Sequence, residues 1–285
     1  MNYRHSFHAG NFADVFKHAL LVPLVRGMQR KDKGFLFLDT HAGSGAYNLN
    51  ATPSGRTLEY VDGIGRLWTR QDLSAGVRAY VDVVRKFNFS RGAIGETLRF
   101  FPGSPRLAAA LLRPQDRLAL SELHPDDFET LQTEFSRERG VNVQRIDAYS
   151  ALRAFLPPPE RRALVLIDPP YEDHNEVVRI HAALAETLER FPSGTYVIWY
   201  PIKEHAGAGA FKSLLTTLAL PPTLAVEITV YGNDPPDRLN GCGILVLNPP
   251  WQIAGELAAI ATSLRDLLAL EPGANAGLEW LREED

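Results

Sequence analysis

Four acidic residues stand where apolar runs stop: Asp39, Glu122, Asp147 and Asp168. The sharpest context is Ile167-Asp168-Pro169-Pro170-Tyr171. Two consecutive prolines fix φ and remove two N–H donors, which leaves the Asp168 carboxylate and the Pro169 carbonyl as outward acceptors. Tyr171 adds a flat aromatic face at the same place. Acceptors beside a ring suit a flipped-out base that carries an exocyclic amine. A Pro-Pro-Tyr ligand for proline-binding modules needs an exposed, extended segment, whereas this one follows a buried apolar run.

The other three acids are weaker signals singly. Asp39-Thr-His-Ala-Gly-Ser-Gly45 has glycines that permit a tight turn and close approach of a ligand to Gly43. A dinucleotide fingerprint needs a third glycine where Asn48 stands, so that reading loses force against a plain strand-to-helix turn. Glu122 is placed to accept from both hydroxyls of a ribose, or is simply an acid before a helix. Asp147 could accept from the amine of adenine, although capping of the next helix explains it equally well. Ser104 follows Pro102-Gly103 and reads as a helix cap. Lys17 and Arg4 read as phosphate contacts or as ordinary surface charge. His5, His8, His18 and His41 have no carboxylate or cysteine at ligand spacing, so no metal site is expected.

These residues must be positioned by an alternating fold. Phe12, Val15, Phe16, Ala19, Leu20 and Leu24 recur at helical spacing, which predicts a helix over 11–31 with Asn11 as its cap and a kink or interruption at Pro23. Strands are expected at 34–39, 117–122, 141–147, 163–168, 195–200, 224–231 and 243–248. Helices are expected between them and over 252–270. Such alternation means a doubly wound, mostly parallel sheet with helices on both faces, and one of the last two strands is expected to run antiparallel. The second strand follows the first by nearly 80 residues, which predicts a helical insertion at 48–98 inside a single domain of 285 residues.

Composition bounds the function classes. Hydrophobic residues make up 45% and charged residues 22%, as in an ordinary folded domain. The single cysteine, Cys242, excludes an internal disulfide and a cysteine-built zinc site, and fits a reducing cytoplasm. No membrane span or signal peptide is expected. The net charge of −4 argues mildly against nucleic acid. That charge is uneven: residues 1–33 hold six bases and two acids, a net of +4, which leaves −8 for the remainder. A basic arm on an acidic body still attracts RNA, because contact depends on local potential. Glu283-Glu284-Asp285 reads as a solvated tail.

The Asp168-Pro-Pro-Tyr171 motif, with Asp39-x-x-Ala-Gly-Ser-Gly45 upstream, resembles S-adenosylmethionine-dependent methyltransferases acting on adenine N6 or cytosine N4. Further blocks are Tyr3–Asn11, Val15–His18, Leu38–Gly43, Phe101–Pro105, Glu122–Pro125, Leu166–Tyr171 and Trp199–Pro201. In this order they are similar to the RlmJ family of 23S ribosomal RNA adenine-N6 methyltransferases, which also carries a helical insertion after its first strand. The resemblance implies a Rossmann-like α/β methyltransferase fold with S-adenosyl-L-methionine as cofactor. It implies cofactor contacts at His18, His41, Gly43, Ser104, Glu122, Asp147 and Ala148. Asp168 is then the catalytic acceptor, with Pro169, Tyr171 and Lys17 beside it, and Tyr3, Arg4 and His5 meet the RNA. A cytoplasmic monomer acting on naked 23S RNA before assembly is the implied partner arrangement. Ala148 stands where the family pattern has glycine, which is harmless if that residue contributes only its N–H. The competing readings are a DNA adenine methyltransferase, a catalytically silent RNA-binding module on the same fold, and a nucleotide-dependent oxidoreductase.

Overall fold

The computed structural model describes residues 8–50, 58–95, 97–234 and 238–283, so Tyr3, Arg4 and His5 lie outside the described residues. Helix α1 (Phe12–Met28) leads into β1 (Leu36–Asp39) and the short β2 (Ala46–Asn48). Three helices follow, α2 (Glu59–Asp62), α3 (Ile64–Trp68) and α4 (Ala75–Ser90), before β3 (Phe100–Pro102) pairs antiparallel with β2. The chain then alternates through α5 (Ser104–Leu111), β4 (Arg117–Ser121), α6 (Pro125–Glu134), β5 (Val141–Gln144), α7 (Ala148–Phe155) and β6 (Ala163–Ile167). It continues with α8 (Glu176–Arg190), β7 (Thr195–Ile202), α9 (His205–Leu215), β8 (Thr223–Thr229), β9 (Gly241–Leu247), α10 (Ala254–Leu268) and β10 (Ala276–Arg282).

Eight strands form one sheet in the order β10-β8-β9-β7-β6-β1-β4-β5. From β5 to β7 every pairing is parallel. β9 enters between β7 and β8 and runs antiparallel to both. It is therefore the reversed strand among the last two, as the short link before it suggested. Strand β10, antiparallel to β8, is an element the sequence reading missed, as are the short β2 and β3. The half-exposed residues of β10 and nearby acids gave a weak alternation, and only pairing with β8 makes it a strand.

The central strands β1 and β6 are buried along their whole length, as strands covered by helices on both faces must be. One face packs Phe16, Leu20, Val81, Leu257 and Leu264 from α1, α4 and α10. The other packs Leu152, Ile180, Leu184 and Phe211 from α7, α8 and α9. Helix α1 runs without interruption through Pro23, so of the kink or interruption expected there the interruption is not found. The lost N–H removes one ladder bond. Burial of Leu20, Leu21, Leu24 and Val25 against the sheet and its helical neighbours outweighs that loss.

Among the described residues no helix is long and apolar enough to cross a membrane.

Candidate active site

Parallel strands deliver their carboxyl ends to one edge of the sheet, and the crevice beyond that edge is where such folds bind ligands. Here the loops after β1, β4, β5 and β6 meet there. An inner cavity is lined by Lys17, His18, His41, Gly43, Ser104, Glu122, Asp147, Ala148 and Asp168. All seven residues expected to hold cofactor thus converge, although they come from loops more than 100 residues apart.

The loop after β1 is shaped by Gly43, at φ +57, and Gly45, at φ +79. Gly43 N–H donates to Glu122 Oε2 at 2.8 Å, and His124 N–H donates to Oε1 at 2.7 Å. Two backbone donors thereby fix the Glu122 carboxylate, with lone pairs remaining on both oxygens. Burial pushes its pKa up, and those two N–H bonds oppose the rise. Asp147 caps α7: its Oδ1 accepts from Tyr149 N and Ser150 N, each at 3.1 Å. Its Oδ2 accepts from Arg179 at 3.0 Å. Helix capping is therefore the arrangement found, at the cavity wall. Ser104 is the first residue of α5, and Gly103 takes the cap position expected for it.

Asp39 lies at the end of β1, fully buried, with its Oδ1 taken by His41 N–H at 3.1 Å. Burial, partly offset by the Ser104 hydroxyl, pushes its carboxyl up to about 7. Burial pushes the neighbouring His41 down to about 4, against the pull of Asp168 and Asp147. His18 is buried and stacks on Phe101, with ring centroids 5.5 Å apart.

Asp168 stands at the junction of two spaces. Lys17, Asp168 and Pro170 line both the inner cavity and an outer cleft of about 1120 Å³. Pro169, Tyr171 and Trp199 line only the outer cleft. Tyr171 takes φ +52, a left-handed conformation unusual for an aromatic residue. Its hydroxyl donates to the Trp199 carbonyl at 2.7 Å, and its ring meets Trp199 edge-on at 5.8 Å.

Lys17 lies beside Asp168, as the family resemblance implied, and departs only from the reading of its residue type alone. It is neither a surface charge nor a phosphate contact: its side chain is 5% exposed and its ammonium bridges two carboxylates. Nζ donates to Asp168 Oδ2 at 2.5 Å and to Asp14 Oδ1 at 3.0 Å. Burial opposes its charge, yet Asp168 and Asp14 together hold its pKa well above the usual lysine range. In this arrangement Lys17 donates to both carboxylates. Asp14 was missed by the sequence reading, although its i, i+3 spacing from Lys17 on α1 was a visible signal. Its other oxygen accepts from Gly10 N–H at 2.9 Å. Also missed were Tyr149, Glu176 and Arg179, which close one wall: Tyr149 hydroxyl donates to Glu176 at 2.5 Å, and Arg179 lies 4.7 Å over the Tyr149 ring. Among the described residues no cluster of histidine, cysteine or carboxylates is placed to hold a metal.

Comparison with known proteins gives this geometry a family. The sequence profile described as Ribosomal RNA large subunit methyltransferase D, RlmJ, matches residues 32–282. The chain is 40% identical over 285 residues to Ribosomal RNA large subunit methyltransferase J of Haemophilus influenzae, and 39% identical over 284 residues to the protein of that name from Escherichia coli. In both cases all of each chain is covered. A crystal structure of a Legionella pneumophila protein superposes with a TM-score of 0.87 at 33% identity, covering 95% of this chain and 98% of that one.

The cofactor of such methyltransferases is S-adenosyl-L-methionine, and the donor set fits it. Glu122 presents acceptors suited to ribose hydroxyls, and the half-buried Asp168 at the cavity wall offers negative potential to a sulfonium. The chain is an S-adenosylmethionine-dependent methyltransferase and belongs to the RlmJ family of ribosomal RNA large subunit methyltransferases.

Proposed function

We propose that this protein methylates the exocyclic N6 of an adenine in 23S ribosomal RNA, acting as a cytoplasmic monomer on naked RNA before assembly. The observation that carries this reading is the placement of Asp168, shared between the inner cavity and the outer cleft. A base entering through the outer cleft meets the acceptors of the Asp-Pro-Pro-Tyr turn at the mouth of the cofactor cavity. The names of the relatives support ribosomal RNA as the substrate.

When bound, S-adenosyl-L-methionine supplies a methyl group on a sulfonium. His18, His41, Gly43, Ser104, Glu122, Asp147 and Ala148 would hold it in the inner cavity. Adenine N6 is a poor nucleophile because its lone pair is delocalised into the ring. Lys17 occupies Asp168 Oδ2 and so fixes the plane of the carboxylate, which leaves Oδ1 for the amine. Oδ1 and the Pro169 carbonyl each accept one N6 hydrogen. This draws the nitrogen toward tetrahedral geometry and frees its lone pair for in-line attack. The contribution is chiefly orientation, followed by transfer of one proton to Asp168. Tyr171 and Trp199 offer the base an aromatic wall, and Tyr3, Arg4 and His5 are proposed to grip the RNA.

The test is transfer of labelled methyl from S-adenosyl-L-methionine to unmodified 23S RNA, with mapping of the modified base and unmethylated DNA in parallel. Asp168→Ala should reduce transfer at least 100-fold, a typical cost of losing a positioned acid–base group. Cofactor binding should survive in a thermal-shift assay. Methyl appearing on DNA rather than RNA, or undiminished transfer by Asp168→Ala, would overturn the assignment.

A further inference from the structure

The two most exposed large apolar side chains among the described residues sit on one turn: Phe89, 82% exposed, and Ile94, 86% exposed. This turn joins the end of α4 to β3. It is also basic, since residues 85–99 contain Arg85, Lys86, Arg91 and Arg99 against the single acid Glu96. A scattered apolar side chain on a surface needs no explanation. Two at one tip, ringed by bases on a chain whose net charge is negative, do.

The tip is held firmly in place. Asn88 is buried at 2% exposure, and its amide nitrogen donates to the Val84 and Phe100 carbonyls. Its carbonyl oxygen accepts from Arg99 N and Phe100 N at 2.9 and 2.8 Å. One side chain therefore clamps the helix end to the strand. Gly92 and Gly95, at φ +78 and +63, turn the chain between them with open space around both. The guanidinium of Arg91 lies 5.0 Å from the Phe87 ring and that of Arg99 5.0 Å from the Phe100 ring. A groove of about 1050 Å³ runs from the end of α4 along that helix and carries Arg26, Arg78 and Lys86 beside Asp82, with Arg91 and Arg106 ion-paired to Glu134 and Arg106 also to Glu138.

We infer that this tip is a second RNA contact, apart from the adenine pocket, which receives an unpaired base on Phe89 and Ile94 and backbone phosphates on Lys86 and Arg99. The partner follows from complementarity. Bases stack on exposed rings and on guanidinium planes without sequence preference, while lysine and arginine neutralise phosphates. The tip occupies the segment read as a helical insertion, so this assigns that segment the task of gripping RNA away from the target. The inference rests on RNA being the substrate, as proposed above.

The experiment compares the wild-type protein, Phe89→Ala and the double variant Lys86→Ala/Arg99→Ala. Each is assayed on a 23S fragment of several hundred nucleotides and on a short fragment around the mapped adenine. On the long RNA, Phe89→Ala should raise KM roughly ten-fold at unchanged kcat, in line with the loss of one stacked base. The double variant should make the dependence of log Kd on log salt shallower by about 1.5, in line with two lost phosphate contacts. On the short fragment all three proteins should behave alike. Wild-type KM and salt slope in both variants on the long RNA would overturn the inference and leave the proposed function standing. A wild-type protein that transfers methyl to no RNA would instead overturn the proposed function itself.

Discussion

The two halves of the sheet use the same kind of apolar strand for different ends. In the parallel half, β5-β4-β1-β6-β7, the carboxyl ends face one way, and the residues beyond them bring Glu122, Asp147 and Asp168 to one crevice, while Asp39 is buried at the end of β1. In the antiparallel half, β9-β8-β10, successive ends point in opposite directions, and no residue expected to bind cofactor lies there. Its charged groups serve structure: Glu227 accepts from the Tyr200 hydroxyl at 2.6 Å and pairs with Lys212 at 2.9 Å. The lesson is that strand direction, rather than strand composition, decides which half carries chemistry. The parallel half tolerates buried charge at its edge, and the antiparallel half pairs its charges at the surface.

Breaking the buried charge should have the largest effect. Lys17→Met leaves Asp14 and Asp168 without their shared cation, and loss of one partner in a buried pair costs about 3–5 kcal/mol. Urea unfolding would measure it, and an unchanged midpoint would mean that the bridge contributes nothing to the fold.

The pH dependence of stability sharpens the contrast further. Asp39 has a folded pKa raised to about 7, so between its ordinary value and 7 the native state binds the extra proton and acidification stabilises. His41 has a folded pKa lowered to about 4, so between about 6.5 and 4 the unfolded state binds the extra proton and acidification destabilises. The two slopes oppose each other in one window. Asp39→Asn should expose the histidine slope, with stability falling by up to about 1.4 kcal/mol per pH unit below 6.5. His41→Asn should expose the opposite slope. Denaturation midpoints from pH 4 to 7 would test the pair, and parallel profiles in the two variants would refute it.

Gly43→Ala should weaken the cofactor site and, through the strain of its turn, lower stability modestly. An added Cβ would sit 2.5 Å from the Tyr47 hydroxyl at a φ of +57, and such strain costs roughly 1–3 kcal/mol. Calorimetry should show cofactor affinity reduced about ten-fold with the fold intact. The smallest effect is expected at the bond from β7 into the antiparallel half. Tyr200→Phe removes the bond to Glu227 and should cost about 1 kcal/mol of stability with no change in methyl transfer.

Local patterns made the site legible to a large degree. An apolar run that stops at an acid followed by prolines singled out Asp168 from adjacent residues, whereas the loop after β1 and Glu122 were weak signals singly and gained weight from their order along the chain and from the family resemblance. The misses share one cause. By residue type alone Lys17 could not be told from surface charge, because Asp168 lies 151 residues further along the chain, and only the family resemblance put it beside the site. Arg179 and Tyr149 become neighbours only when α7 and α8 pack together. The β2–β3 hairpin pairs segments more than 50 residues apart, and β10 needs β8 as a template. Pro23 marked a kink or interruption in local terms, but α1 continues through it, held by burial of Leu20, Leu21, Leu24 and Val25.

Residue type and short spacing determined which groups could act: acceptors without competing donors at Asp168-Pro-Pro-Tyr171, a ligand-hugging turn at Gly43, and the alternation of strand and helix. Tertiary structure alone decided how they act together. It set Lys17 between two carboxylates, buried Asp39, and opened two spaces onto one aspartate. The physical reason is range. Backbone conformation follows from neighbours in sequence, whereas charge state and cavity shape depend on groups that only packing brings within a few ångströms.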